Sequence, residues 1–554
     1  MKRIFTLVML TAFIWSGELS DKIPYDWSGQ FGIVVVGGRL LWNQDWSYGP
    51  LMYDGSFTAD PGRFGEDYQH GFRLDIPGRS PSQPAFADSS HVQSTLNYYR
   101  GDYSYDQLEL TIDFNNVDRS YRWYGFKRDY EGIYDQYTRP DQRPVPLQQS
   151  YRFDYNSQTE NELFRASVAA HISDVQLVYN GQDDFTQNEE NITAGFDYTY
   201  TFGNWKFNAA GSLHNQRNDF RILLSESRSI LKLSRTNVRT GLWYQMNNSR
   251  KLLIELQSSW QNIYHTDLAN SYLNWQRFWS GIKTDLINAG IGGTYANQQD
   301  FIPLIFLEAK TADSAVFQGN TRLYYDGKPR HPLLRDVSGG ELFETWLFGD
   351  ITAGVTRNNY RIISTVSYSK NFDGNRVYLE SGNRIYSLEE EQQITVSLGG
   401  TLNLFRRWGI GGSVNHTIGD NSLYSGFGDR TKIEIFGTER LFKGKMDAGI
   451  KFWGEGFFNR ETEVLFDMMS NIPITSVHKE QQLPDYWVFN FSVSAKVSNF
   501  IISWTLRNVV NATEGLVRQV FGELGEENIW ISNTSTFPVL GQFASFRIIW
   551  RLQD

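Results

Sequence analysis

Trp487-Val488-Phe489-Asn490-Phe491-Ser492-Val493-Ser494-Ala495-Lys496-Val497 is the stretch that decides how this chain reads. Bulky or apolar side chains fall on every second position, from Trp487 to Val497. Between them, after Val488, stand Asn490, Ser492, Ser494 and Lys496. A period of two marks a strand, because successive side chains point to opposite faces. A tight reversal at Ser498-Asn499 follows. Phe500, Ile502, Trp504 and Leu506 then alternate with Ile501, Ser503, Thr505 and Arg507. Near the end, Phe546, Ile548, Trp550 and Leu552 alternate with Ser545, Arg547, Ile549 and Arg551. Strands of about ten residues with one aromatic, apolar face fit a bilayer crossing, with lipid on one side and a polar interior on the other.

The same pattern runs upstream from about His91. Leu108, Leu110, Ile112 and Phe114 oppose Glu109, Thr111 and Asp113. Ile192, Ala194, Phe196, Tyr198, Tyr200 and Phe202 oppose Thr193, Gly195, Asp197, Thr199 and Thr201. After Gly203-Asn204, Trp205, Phe207, Ala209, Gly211 and Leu213 oppose Lys206, Asn208, Ala210 and Ser212. Strand counting predicts an all-β, closed antiparallel transmembrane β-barrel over residues 91–554, of about 22 strands within a range of 18–24. Closure follows from the solvent: an open sheet in hydrocarbon would leave an unpaired edge, at several kcal/mol per group.

Composition agrees with this reading. The chain has 554 residues, 40% hydrophobic and 15% aromatic, and no cysteine. Its mean hydropathy is −0.45, which does not exclude a barrel, since each strand needs only half its residues apolar. Without cysteine there is no disulfide, thiolate metal site or lipid-attachment cysteine. The net charge of −10 argues against a nucleic-acid partner. Met1-Lys2-Arg3 followed by the apolar Ile4–Trp15 reads as a signal peptide over residues 1–20, a membrane anchor being the alternative. Export, alternation and aromatic richness together predict integral insertion in the outer membrane of a Gram-negative cell, with membrane lipid and the barrel-assembly machinery as partners. Residues 21–90 are dense in Gly, Pro and Asp. They read as an extended N-terminal segment or a small hatch in the lumen.

Tight connections at Gly203-Asn204, Arg406-Arg407, Lys443-Gly444-Lys445 and Ser498-Asn499 contrast with long polar segments at 115–147, 297–343, 459–484 and 511–542. Short turns belong to the periplasmic end and long loops to the outside. Phe202, Trp205, Phe405, Trp408, Phe442 and Phe500 flank the tight turns, as a one-sided interfacial girdle would.

Catalytic chemistry leaves little trace. The eight histidines, His70, His91, His171, His214, His265, His331, His416 and His478, include no pair at metal-ligand spacing, and there is no Gly-x-Ser-x-Gly elbow. Ser167 and His171 share one strand face but stand about 13 Å apart at ~3.3 Å per residue. No catalytic, cofactor or metal residues are assigned, and no enzyme is expected. The inward faces carry both signs of charge, at Glu109, Asp113, Arg165, Asp197, Lys206, Lys251, Glu255, Lys451, Glu455, Arg547 and Arg551. Cross-strand pairing inside a wide barrel is the expected arrangement.

The strand end Trp504-Thr505-Leu506-Arg507-Asn508-Val509-Val510-Asn511, the long loop with Pro538 and Gly541, and the closing strand to Trp550 resemble the barrel end of TonB-dependent receptors, of the Bacteroidetes type. The resemblance covers about the last 70 residues and implies energised uptake of a bulky nutrient such as a siderophore, cobalamin or glycan through a TonB complex. Ile33-Val34-Val35-Val36-Gly37-Gly38-Arg39 is faintly similar to a TonB box. The family's N-terminal plug of about 130–150 residues has no counterpart in the roughly 70 residues before the first regular strand. The chain is therefore expected to be a TonB-dependent-receptor-like, porin-like barrel for uptake or passage of a solute, working with a TonB complex or a separate plug or lipoprotein partner. The alternative is a non-transport barrel, structural, surface-binding or secretion-associated, acting through its external loops.

Overall fold

In a computed structural model, the described residues comprise two short strands, Ile33–Val36 and Arg39–Trp42, and most of the chain between residues 89 and 553. The segments 1–32, 43–85, 130–136, 139–147, 178–184, 223–226, 312–315, 330–342, 420–428, 460–463, 468–471, 477–484 and 510–542, with a few connections of one to three residues, lie outside the described residues. The signal peptide and most of the 21–90 segment fall there. Within the latter, Ile33–Val36 and Arg39–Trp42 pair as an antiparallel hairpin.

Among the described residues, twenty-two strands form one closed antiparallel barrel, from His91–Gly101 to Phe543–Gln553. Tyr137–Thr138 and the hairpin of Val464–Asp467 with Ile472–Ser476 are side extensions of the same sheet. The last strand pairs with the first over Ser545↔Gly101 through Gln553↔Gln93, so no edge is left for lipid. At ~4.8 Å between strands tilted ~40°, such a wall encloses roughly 40 Å, more than side chains can fill.

Two-sidedness is direct. On Tyr486–Val497, Val493 and Val497 are exposed while Asn490 is 1% exposed. On Arg250–His265, Leu252, Ile254 and Leu256 face outward while Leu253, Glu255 and Ser259 are buried inside. Exposed apolar side chains on nearly every strand form the outer belt. Burying that belt in lipid makes the chain an integral outer-membrane barrel.

Successive antiparallel strands put the reversals at Gly203-Asn204, Arg407, Phe442–Gly444 and Ser498-Asn499 at one end. The turn conformations are steep there: Gly203 has φ +56°, and Ser498 has φ +53° without glycine's freedom. Phe202, Trp205, Phe405, Trp408, Phe442 and Trp550 are exposed around this end. The girdle is not one-sided, however. Tyr151, Tyr264, Tyr272 and Phe301 are exposed in strand halves that approach the opposite end, as expected of a wall with two membrane–water boundaries.

Two of the segments read from sequence as long loops contain barrel strands. Residues 297–343 contain Asp300–Lys310 and Phe317–Pro329, and 115–147 contains Arg119–Asp129. Asp300–Lys310 is apolar on both faces, with Ile305 and Leu307 outward and Leu304 and Phe306 buried inward, so its period of two is hidden. The segment 459–484 carries the side hairpin Val464–Asp467/Ile472–Ser476. The segment 511–542 lies outside the described residues.

Candidate functional site

The inward faces form the surface a solute would meet, and the strand registers place their charges against one another. Arg165 and Arg239 converge on Asp197 at 3.3 and 3.7 Å, and Asn208 donates to the same carboxylate at 3.3 Å. Lys451 and Lys432 flank Glu434 at 3.0 and 3.5 Å. Arg122 pairs with Asp113 on the neighbouring strand. At the closing seam the Arg547 Nε donates to Asn97 Oδ1 at 2.9 Å, and Asn97 Nδ2 donates to Glu109 at 2.9 Å. The Arg547 guanidinium also lies 4.7 Å from the centre of the Tyr99 ring. Lys206 and Lys283 approach the Trp243 ring at 5.7 and 6.0 Å.

Most inward residues singled out in the sequence thus join cross-strand networks. Lys251 and Arg551 occupy inward register positions, opposite Lys283 and Thr95. The Glu455 side chain lies outside the described residues. Pairing neutralises the wall locally, leaving a polar inner surface without a strong field of one sign.

One sector departs from this. Leu253, Trp279, Leu304, Phe306, Tyr324 and Phe348 form a buried apolar cluster on the inner wall. Further along the same strands, Leu273, Trp275, Ala296 and Phe343 form a second. Between Trp275 and Trp279 stands Arg277, whose Nη2 donates to Asp326 Oδ1 at 3.2 Å and to the Gly327 carbonyl at 3.0 Å. Arg277 Nε donates to Thr294 Oγ1 at 3.0 Å. Arg322 pairs with Asp350, Nε to Oδ1 at 3.1 Å, beside Tyr324, whose hydroxyl donates to Glu308. Sequence reading missed this sector because its inward apolar residues blur the alternation.

Ser167 and His171 share the strand Glu162–Leu177, and their side chains lie outside the described residues. Strand pairing instead brings Ser229 Oγ within 3.0 Å of His265 Nε2, a contact invisible at a separation of 36 residues. Ser229 and His265 are only 4% and 6% exposed. His416 Nδ1 meets Asp429 at 2.8 Å, and Asn459 Nδ2 donates to the same carboxylate at 2.7 Å, tying three strand ends together. Among the described residues no group of three or more His, Cys, Asp or Glu could hold a metal ion.

The closed-barrel fold is shared with solved transporters and receptors. No family model matches the chain, and no curated protein matches it. Among solved structures, the copper transporter OprC superposes with a TM-score of 0.60 at 11% identity, over 85% of this chain and 81% of that one. The FrpB iron transporter from Neisseria meningitidis gives 0.59 at 10% identity, over 84% and 82%. The siderophore receptor PirA from Pseudomonas aeruginosa gives 0.58 at 10% identity, over 97% and 95%. The barrel therefore has the TonB-dependent-receptor-like fold. Its presence in Neisseria and Pseudomonas proteins means that the fold does not single out the Bacteroidetes type.

Proposed function

We propose that this chain is an outer-membrane transport protein that admits or takes up a solute through the barrel lumen, and that it is not an enzyme. The observation that carries the proposal is the charge-paired inner wall, from Arg165–Asp197 to Lys451–Glu434, inside a barrel too wide for side chains to fill. The fold it shares with iron, copper and siderophore transporters supports a metal-containing or similarly bulky solute. A TonB complex, or a separate plug or lipoprotein, is the partner this reading calls for. In this reading residues 1–20 are the signal peptide and 21–90 an extended N-terminal segment or a small hatch.

Conductance in planar bilayers tests it. Steady pores from the full chain are expected if the lumen is open. Pores only after deletion of residues 21–90 are expected if that segment is a hatch. No conductance from either form would overturn passage through the lumen and favour a barrel acting through its external loops.

A further inference from the structure

The outer face carries a feature that passage through the lumen does not use. On Trp205–Ile222 the outward residues run Trp205, Phe207, Ala209, Gly211, Leu213, Asn215, Arg217, Asp219, Arg221. The apolar run ends at Leu213, and arginines begin four residues later. At ~2.5 Å of climb per residue on a tilted strand, Leu213 stands roughly 20 Å and Arg217 roughly 30 Å above the tight turn, so the arginines start where a ~25 Å apolar band stops. The neighbouring strand Ser227–Asn247 does the same: Met246, Leu242 and Val238 are exposed in the belt, and Lys232 and Arg228 follow beyond it.

These residues are drawn together. Arg221 stands opposite Arg228, and Arg217 opposite Lys232. Asp219 receives Arg217 at 3.2 Å, Arg221 at 3.2 Å and Arg228 through both of its carboxylate oxygens. The Asp219 side chain is 4% exposed, while those of Arg217, Arg221 and Arg228 are 43%, 51% and 44% exposed. The carboxylate acts as a hub beneath three guanidiniums that keep their outer edges in solvent. Hydrogen bonds from Arg228 and Arg221 hold the Asp219 carboxyl well below the usual carboxylate range, against the opposing effect of burial, so the hub stays charged. Lys232 lies 5.7 Å from the centre of the Tyr264 ring, an exposed aromatic in the same row. Glu190, opposite Arg217, is the carboxylate on the other flank. Asp174 stands one strand further in the row of Asp219, so among the described residues Arg217, Arg221, Arg228 and Lys232 against Asp219, Glu190 and Asp174 leave an excess of one positive charge.

We propose that Arg217, Arg221, Arg228 and Lys232 form an external site for the phosphorylated headgroup of a lipid in the outer leaflet. Continuity with the belt selects the occupant: acyl chains would lie on Leu213, Val238 and Leu242, and the phosphate would reach the guanidiniums above. Arginine suits that role because its planar donor fork matches phosphate oxygens. The site is independent of what the lumen carries.

The test uses the full chain in detergent, with retained lipid counted by native mass spectrometry. The probes are diphosphorylated lipid A, the same lipid dephosphorylated, and inorganic phosphate as competitor. The variant is R221Q/R228Q/D219N, in which the hub carboxylate is neutralised along with two of its partners, and R407Q at the opposite end serves as control. Heat-modifiable migration on electrophoresis confirms a folded barrel in each. The wild type and R407Q are expected to retain the phosphorylated lipid at least tenfold better than the dephosphorylated one, since clustered surface cations attract anionic lipid. The triple variant is expected to lose that preference. Equal retention by wild type and folded triple variant overturns the proposal. So does full displacement by inorganic phosphate at matched phosphate concentration, which would identify a free-anion site instead.

Discussion

Trp279 and Phe306 meet edge to face on the inner wall, ring centroids 4.8 Å apart at 85°, although a whole strand runs between them. That strand, Ile287–Ala296, turns Asn288, Gly290, Gly292, Thr294 and Ala296 inward. Its two inward glycines, Gly290 and Gly292, leave the floor over which the rings join. A β-carbon at Gly290 would come within 2.5 Å of the Phe306 ring. Gly290→Val is therefore expected to destabilise the barrel by about 1–3 kcal/mol through overpacking. Gly349→Ala, whose added carbon meets only ordinary contacts at 3.6 Å, should change little. Urea midpoints of the two variants in lipid compare them.

The luminal Arg322–Asp350 pair is largely enclosed, with side-chain exposures of 19% and 0%. Asp350→Ala removes the carboxylate and leaves the guanidinium facing the wall. The expected cost is at most about 3 kcal/mol, the lower side of the range for breaking a buried pair, because Arg322 keeps some access to water. A double-mutant cycle with Arg322→Met measures the coupling, and a coupling near zero would remove this pair from the forces that hold the wall.

Ile254 lies near the middle of the outer belt and is 56% exposed. Ile254→Arg is expected to cost about 2–4 kcal/mol in bilayer-folded protein, the penalty for a cation at the midplane of a barrel. Its inward neighbour Glu255→Gln should cost much less. Reversible folding into short-chain lipid vesicles separates the two, and equal effects would mean that the strand's faces are wrongly assigned.

Closure makes a covalent prediction. Thr95 and Arg551 are register partners across the seam, and the chain has no cysteine of its own. Thr95→Cys with Arg551→Cys is expected to join through a short thiol-to-thiol reagent and to shift migration after denaturation. The offset pair Thr95→Cys with Arg547→Cys is expected to stay open.

How far the sequence carries depends on whether the two faces differ. Tyr486–Val497, Phe500–Arg507 and Phe543–Gln553 are legible residue by residue, because polar inward positions contrast with lipid-facing ones. Asp300–Lys310 is not, because Leu304 and Phe306 bury themselves against Trp279 and Tyr324 inside the barrel, so both faces are apolar and the segment reads as irregular. The charges at Arg165, Asp197 and Lys451 could be listed from alternation alone. Their partners could not, since register joins residues as far apart as Arg547 and Asn97. The basic cluster around Asp219 escaped notice for a different reason. It lies on the outward face beyond the belt, where alternation continues but lipid no longer dictates composition.

The most direct test of a closed, lipid-facing barrel is a nitroxide scan of Phe543–Gln553 in bilayers, with oxygen reporting lipid contact and a nickel chelate reporting water. Phe546, Ile548, Trp550 and Leu552 should collide preferentially with oxygen, and Ser545, Arg547 and Arg551 with the chelate, in strict alternation. A scan with no alternation, or with the aromatic row facing water, would contradict the barrel and the passage through it.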